Sequence, residues 1–196
     1  SVLVIHENRG LNPYIRDVAR RVALAGYNAL ALDFLSPLGG TPEDEDAARA
    51  MFSQLDAKQT IANGLAALAY LKALPNSNGR LGVLGFWWGG AMVNQLAVSA
   101  PDLDAAVSYY GMAPQSELVS QIKARMLLHY AGNDERINAS WPAYETALKA
   151  AGIDYLSYVY AGAQHAFYND TNAARYDKAA ADLSWERTLA LFRQTL

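Results

Sequence analysis

Asp134 and His165 are the residues of this sequence best placed to move a proton. Asp134 closes the segment Ala131-Gly132-Asn133-Asp134 after an apolar run, Met126–Tyr130. His165 stands in Gly162-Ala163-Gln164-His165-Ala166-Phe167 after a second run, Tyr155–Tyr160. A carboxylate bonded to one ring nitrogen of an imidazole fixes the tautomer, so that the other nitrogen can take a proton from a nucleophile. Upstream, Leu81-Gly82-Val83-Leu84-Gly85-Phe86-Trp87-Trp88-Gly89-Gly90 is an apolar strand running into G-x-x-x-G-G and then a helix. That is the frame of a nucleophile elbow, in which Gly85, Gly89 and Gly90 let the helix approach the strand around a strained central residue. Elbow, acid, histidine is also a chain order in which nucleophile, orienting acid and base of a catalytic triad can follow one another. Taken singly, a loop aspartate is most simply a turn residue, a loop histidine a solvated one, and strand-to-helix glycines a packing device. Their joint placement just beyond strand ends, where open α/β sheets hold ligands, is what points to chemistry.

With Val4-Ile5-His6-Glu7-Asn8-Arg9-Gly10-Leu11-Asn12 added, the chain resembles the dienelactone hydrolase family over essentially all 196 residues, and its bacterial members most. The resemblance implies an α/β-hydrolase fold that uses no cofactor and acts on an ester or lactone of a small, carboxylate-bearing substrate through a Cys-Asp-His triad. Carried over residue by residue, it makes Asp134 the triad acid and His165 the base. Glu7 becomes the glutamate that pairs with the resting nucleophile, and the backbone N–H groups of Asn8 and Trp88 form the oxyanion hole. Arginines bind the substrate carboxylate in that family, and Arg49 is a loose counterpart.

The departure is at the nucleophile, where relatives read G-F-C-x-G-G and this chain reads Trp87. An indole N–H is a donor only, it forms no acyl intermediate, and its bulk fills the space a scissile carbonyl needs. A large side chain in the elbow is also a backbone outlier, at roughly 1–3 kcal/mol. The chain has no cysteine, and Ser99 and Ser108 are not in the elbow. Either the covalent chemistry is lost, or natural material carries cysteine at 87; the survival of every neighbour favours the second, and intact mass would decide. Two other readings stay open. A non-catalytic protein could bind a ligand over an aromatic floor of Trp87 and Trp88, or His165 and Asp134 could activate a water directly.

His6 reads most simply as a structural histidine beside Glu7, and His129 as buried within a strand. Three histidines on separate segments without metal-ligand spacing argue against a metal site. Tyr109, Tyr110, Trp141, Phe167 and Tyr168 read as core and rim aromatics, with Tyr110 able to reach the pocket from the end of its strand.

These residues need a scaffold, and the chain supplies one pattern throughout: short apolar runs alternating with longer segments of helical period. That is a parallel sheet covered on both faces. Strands are expected near 2–6, 28–32, 81–84, 104–108, 125–130 and 154–160, and helices over 12–26, 59–73, 89–99, 141–151 and 176–194. Gly26 and Gly152 fall just past helices and Pro142 in a first turn. The stretch 34–57 reads as a crossover loop with a short helix, whose acidic run Glu43-Asp44-Glu45-Asp46 favours the positive end of its dipole. One domain, 1–196, is expected. The chain opens inside an apolar strand at Ser1, so one or two strands, or a processed leader, are expected to precede it.

Composition narrows the rest. Hydrophobic residues make up 52% of the chain, and 16 basic against 19 acidic residues give a formal charge of −3. No Lys/Arg run could neutralise a row of phosphates, and no apolar stretch approaches the ~20 residues that span a bilayer. Nucleic acid and membrane are thus not expected partners, and a soluble protein acting on a small molecule is. Oligomeric state, and cytoplasm against periplasm, stay open.

Overall fold

A computed structural model describes all residues, Ser1–Leu196. Its centre is a six-stranded sheet in the order β2-β1-β3-β4-β5-β6, with every neighbouring pair parallel. The strands are β1 (Val2–Ile5), β2 (Ala29–Leu32), β3 (Gly82–Phe86), β4 (Ala105–Tyr109), β5 (Arg125–Asn133) and β6 (Tyr155–Gln164). β1, β3 and β4 are buried at every position, which is why they read as continuous apolar runs rather than as alternation.

Successive side chains of these strands enter opposite cores. Leu3, Ile5, Val83, Ala106, Met126 and Leu128 pack with α3 (Ala57–Lys72), α4 (Trp88–Ser99) and α6 (Trp141–Ala150). Val2, Val4, Leu84, Val107 and Leu127 pack with α1 (Pro13–Leu24) and α7 (Lys178–Thr195) on the other face. The alternation of runs implies this parallel sheet covered on both faces, and the resemblance to the dienelactone hydrolases implies its α/β-hydrolase arrangement, which the strand order matches. In α1 the buried residues Tyr14, Ile15, Val18 and Val22 recur at helical spacing, and Asn12 caps the helix by accepting from Ile15 N–H. No helix is long and apolar enough to cross a membrane.

The expected elements are all present, with boundaries moved by a few residues. Gly26 and Gly152 have φ of +99° and +65°, and Pro142 lies in the first turn of α6. Within 34–57 a helix, α2 (Glu45–Met51), is capped by the Asp44 carboxylate, with Glu45 and Asp46 in its first turn. Two differences bear on function. β5 and β6 run beyond Tyr130 and Tyr160 to Asn133 and Gln164, with a register shift between Ala131 and Asn133. A four-residue helix, α5 (Glu135–Asn138), then follows Asp134 directly. Gly132 and Gly162 break the apolar period, so the sequence places the strand ends near 130 and 160 and shows no helix after Asp134.

Candidate active site

Because all six strands run one way, their carboxyl ends share one edge, and the chain leaves five of them directly into residues of interest. Glu7 lies two residues past β1, while Trp87 follows β3, Tyr110 follows β4, Asp134 follows β5 and His165 follows β6 immediately. The three non-glycine residues with positive φ lie at this same edge: Trp87 (51°), Tyr110 (39°) and Ala166 (68°). Such backbone costs of order 1–3 kcal/mol each and persists only where surrounding structure enforces it.

The turn at Trp87 shows what enforces it. The Trp87 N–H donates to the Tyr109 carbonyl at 3.0 Å, and α4 begins at the next residue. A Cβ on Gly85 would strike the Gly89 carbonyl, one on Gly89 would come within 2.5 Å of the His6 carbonyl, and one on Gly90 within 2.5 Å of the Tyr109 carbonyl. The three glycines thus let α4 sit against β1, β3 and β4. Gly89→Ala should lower stability by roughly 1–3 kcal/mol or more, since the obstruction is backbone that cannot rotate away. Urea unfolding would measure it, and an unchanged midpoint would mean the helix can shift without cost.

Asp134 and His165 are joined by a hydrogen bond of 2.5 Å from His165 Nδ1 to Asp134 Oδ2. Asp134 is only 6% exposed, and its other oxygen accepts from Ile137 N–H at 3.4 Å, so it also caps α5. Burial pushes the His165 pKa below its ordinary value; the Asp134 carboxylate opposes this, while Arg136 and Arg175 add to it. The imidazole is therefore neutral at neutral pH, with Nδ1 engaged and Nε2 left to act. Trp87 meets it edge-to-face at 4.7 Å, and the Arg136 guanidinium lies 4.0 Å from the centre of a Trp87 ring.

Glu7 is enclosed. Tyr110 Oη donates to one carboxylate oxygen and Asn169 Nδ2 to the other, both at 3.4 Å. Burial raises its pKa from 4.5 to about 7 against the pull of those two donors. The folded chain thus holds this proton more tightly than the unfolded one. The difference costs nothing below pH ~4.5 and grows as pH rises to about 7, where it reaches about 3 kcal/mol. Glu7→Gln should therefore gain stability at pH 8 and gain little at pH 4. Urea titrations at the two pH values would check this, and an equal effect at both would mean that the carboxyl is solvated.

Glu7, Asn8, Trp87 and His165 line a cleft of about 630 Å³. Asn8 lies on its wall, and Trp88 is the first residue of α4, whose backbone N–H has no partner within the helix. The Trp88 side chain departs from the expected aromatic floor. It turns away from the cleft to stack on His6 at 5.5 Å and to meet Phe34 and Phe52 edge-on. Trp87 alone of the pair faces the cleft, because consecutive residues at a strand-to-helix turn point in different directions. His6 is structural: fully buried, it accepts from Phe34 N–H at 3.1 Å. His129 is buried as well, bonded to Tyr160 and Thr188. Arg49 lines the cleft, and so do three arginines that the sequence did not single out: Arg9, Arg136 and Arg175. Only Arg136, two residues after Asp134, offered a sequence signal.

The sequence model of the family described as "Dienelactone hydrolase family" matches residues 1–196. Two similar proteins carry the name "Putative carboxymethylenebutenolidase". One, from Saccharolobus solfataricus, is 31% identical over 234 aligned positions, covering 99% of this chain and 89% of that one. The other, from Escherichia coli, is 34% identical over 208, covering 98% and 76%. The crystal structure of a "Putative Dienelactone Hydrolase" from Klebsiella pneumoniae superposes with a TM-score of 0.89 at 29% identity, over 98% of this chain and 86% of that one.

Proposed function

Since the chain belongs to the dienelactone hydrolase family, we propose that its cleft is built to hydrolyse an ester or lactone of a small anionic substrate, with Asp134 and His165 as acid and base of a Cys/Asp/His-type triad that lacks its first member. The observation that carries this reading is the Asp134–His165 hydrogen bond beside a strained elbow residue. In that scheme a nucleophile at position 87 attacks the carbonyl, His165 Nε2 takes its proton, and the N–H groups of Asn8 and Trp88 hold the oxyanion. Glu7 would sit against the resting nucleophile, and Arg49 with its neighbours would receive the substrate's carboxylate.

With Trp87 the covalent step cannot start. A second reading is favoured by how that residue is held, between Arg136 and His165: a non-catalytic protein that binds a small ligand in the same cleft. Acyl-enzyme trapping separates the two. After mixing with an activated acetate ester, Trp87→Cys protein should gain one acetyl group, mapped by peptide mass spectrometry to residue 87, and the parent should gain none there. A variant that stays unacylated although folded would leave the binding protein as the better account.

A further inference from the structure

The hydrogen-bonding groups that the cleft leaves unused describe its ligand. Arg9 is taken up by Asp46 at 2.6 Å. Asn12 caps α1 and donates to Glu45, and Asn169 is spent on Glu7 and Thr171. The side chains of Arg49, Arg136 and Arg175 have no ion pair or hydrogen bond within the protein, and neither do the amides of Asn8 and Asn172. Three guanidinium groups therefore line one cleft in a chain whose formal charge is −3, and the same walls carry Glu45 and Glu7, the latter with its pKa raised by burial to about 7.

Guanidinium groups only donate, and they pair with carboxylate or phosphate oxygens. A single monoanion would leave most of them unmatched. A carboxamide both donates and accepts, the combination a hydroxyl satisfies. Apolar lining is confined to Trp87, Ala166 and Ala173, so an unsubstituted hydrocarbon ligand would find little surface to bury against and would strip water from donors it cannot replace. The volume, about 630 Å³, lies within the range of small-ligand sites.

We propose that this cleft takes a small hydroxylated dianion, of the type of a six-carbon sugar diacid, as an ester formed at one of its hydroxyls, so that both carboxylates stay free to meet the guanidinium groups. The substrate class rests on the ester or lactone reading above, but recognition of the acid does not require turnover. Calorimetric titration of the chain as it stands, with Trp87 in place, would compare three six-carbon acids: glucarate with two carboxylates and four hydroxyls, gluconate with one carboxylate, and adipate with two carboxylates and no hydroxyl. Glucarate is expected to bind about tenfold or more tightly than either of the others, as the loss of one charge-assisted contact or of several hydroxyl contacts would give. Arg175→Gln and Arg136→Gln, both at exposed positions, should each weaken glucarate about tenfold with an unchanged melting temperature.

Equal affinity for glucarate and adipate would remove the hydroxyls from the proposal. Equal affinity for glucarate and gluconate would remove the second charge, and no binding of any of the three would overturn it. Acyl-enzyme trapping with the simple acetate ester is independent of these titrations. Glucarate binding without acylation leaves the ligand class standing and removes the hydrolase reading, while acylation without glucarate binding does the reverse.

Discussion

Trp87→Cys is expected to introduce ester and lactone turnover where the parent chain gives none above buffer. Three features argue for it. His165 lies in ring contact with residue 87 and is held neutral by burial, so an imidazole ready to take a thiol proton is already present. The elbow's positive φ at 51° is enforced by the three glycines and the Tyr109 carbonyl rather than by the indole, so the new side chain inherits the same exposed position. Removing the indole also frees the space that an attacked carbonyl needs. An intact triad is worth on the order of 10⁶ in kcat, but a pocket shaped around tryptophan should recover only part of that, on the order of 10²–10³ over the parent. Steady-state rates on an activated ester and a simple lactone would measure it. Clear turnover by the Trp87 protein itself, undiminished by His165→Ala, would sink both the triad and the binding-protein readings.

The fold was legible because its signal is periodic and redundant. Each central strand is buried on both faces and must be apolar throughout, as in Val2–Ile5, Gly82–Phe86 and Ala105–Tyr109, and each covering helix repeats its buried residues every three or four positions. Where the period breaks, legibility ends. The extension of β5 through Gly132 and of β6 through Gly162 could not be read, since glycine carries no side-chain pattern and strand pairing there depends on the neighbour across the sheet. The helix Glu135–Asn138 is too short to show a period and is held by the Asp134 cap.

At the site, position along the chain was informative and side-chain direction was not. Parallel strands convert "just after an apolar run" into "at one edge", which is how Glu7, Trp87, Asp134 and His165 could be grouped from residues 158 positions apart. Whether Trp87 and Trp88 face the same way depends on the backbone angles of one strained residue, and the sequence could not give those. The arginines were hidden for another reason. Arg9, Arg49, Arg136 and Arg175 come from four separate loops and short helices, so, the place of Arg136 two residues after Asp134 aside, nothing in their local context sets them apart from the chain's other basic residues.

Asp134→Asn, made in the Trp87→Cys background, should lower kcat on the order of 10³–10⁴-fold while leaving the fold nearly intact, the size of loss seen when the orienting carboxylate of a serine-protease triad is changed in this way. The aspartate oxygen that faces His165 Nδ1 at 2.5 Å only accepts, which requires the proton to be on Nδ1 and leaves Nε2 free to take another. An amide nitrogen in that place would donate, move the ring proton to Nε2, and leave no base facing the thiol. The second role of Asp134 survives the change, because the asparagine carbonyl can still accept from Ile137 N–H and cap α5. Replacing a buried carboxylate by a neutral amide of the same shape should therefore shift stability by no more than about 1 kcal/mol. Kinetics beside a thermal melt separates the two roles. If activity and melting temperature fell together, Asp134 would be holding the turn into α5, and the orientation of His165 would have to come from elsewhere.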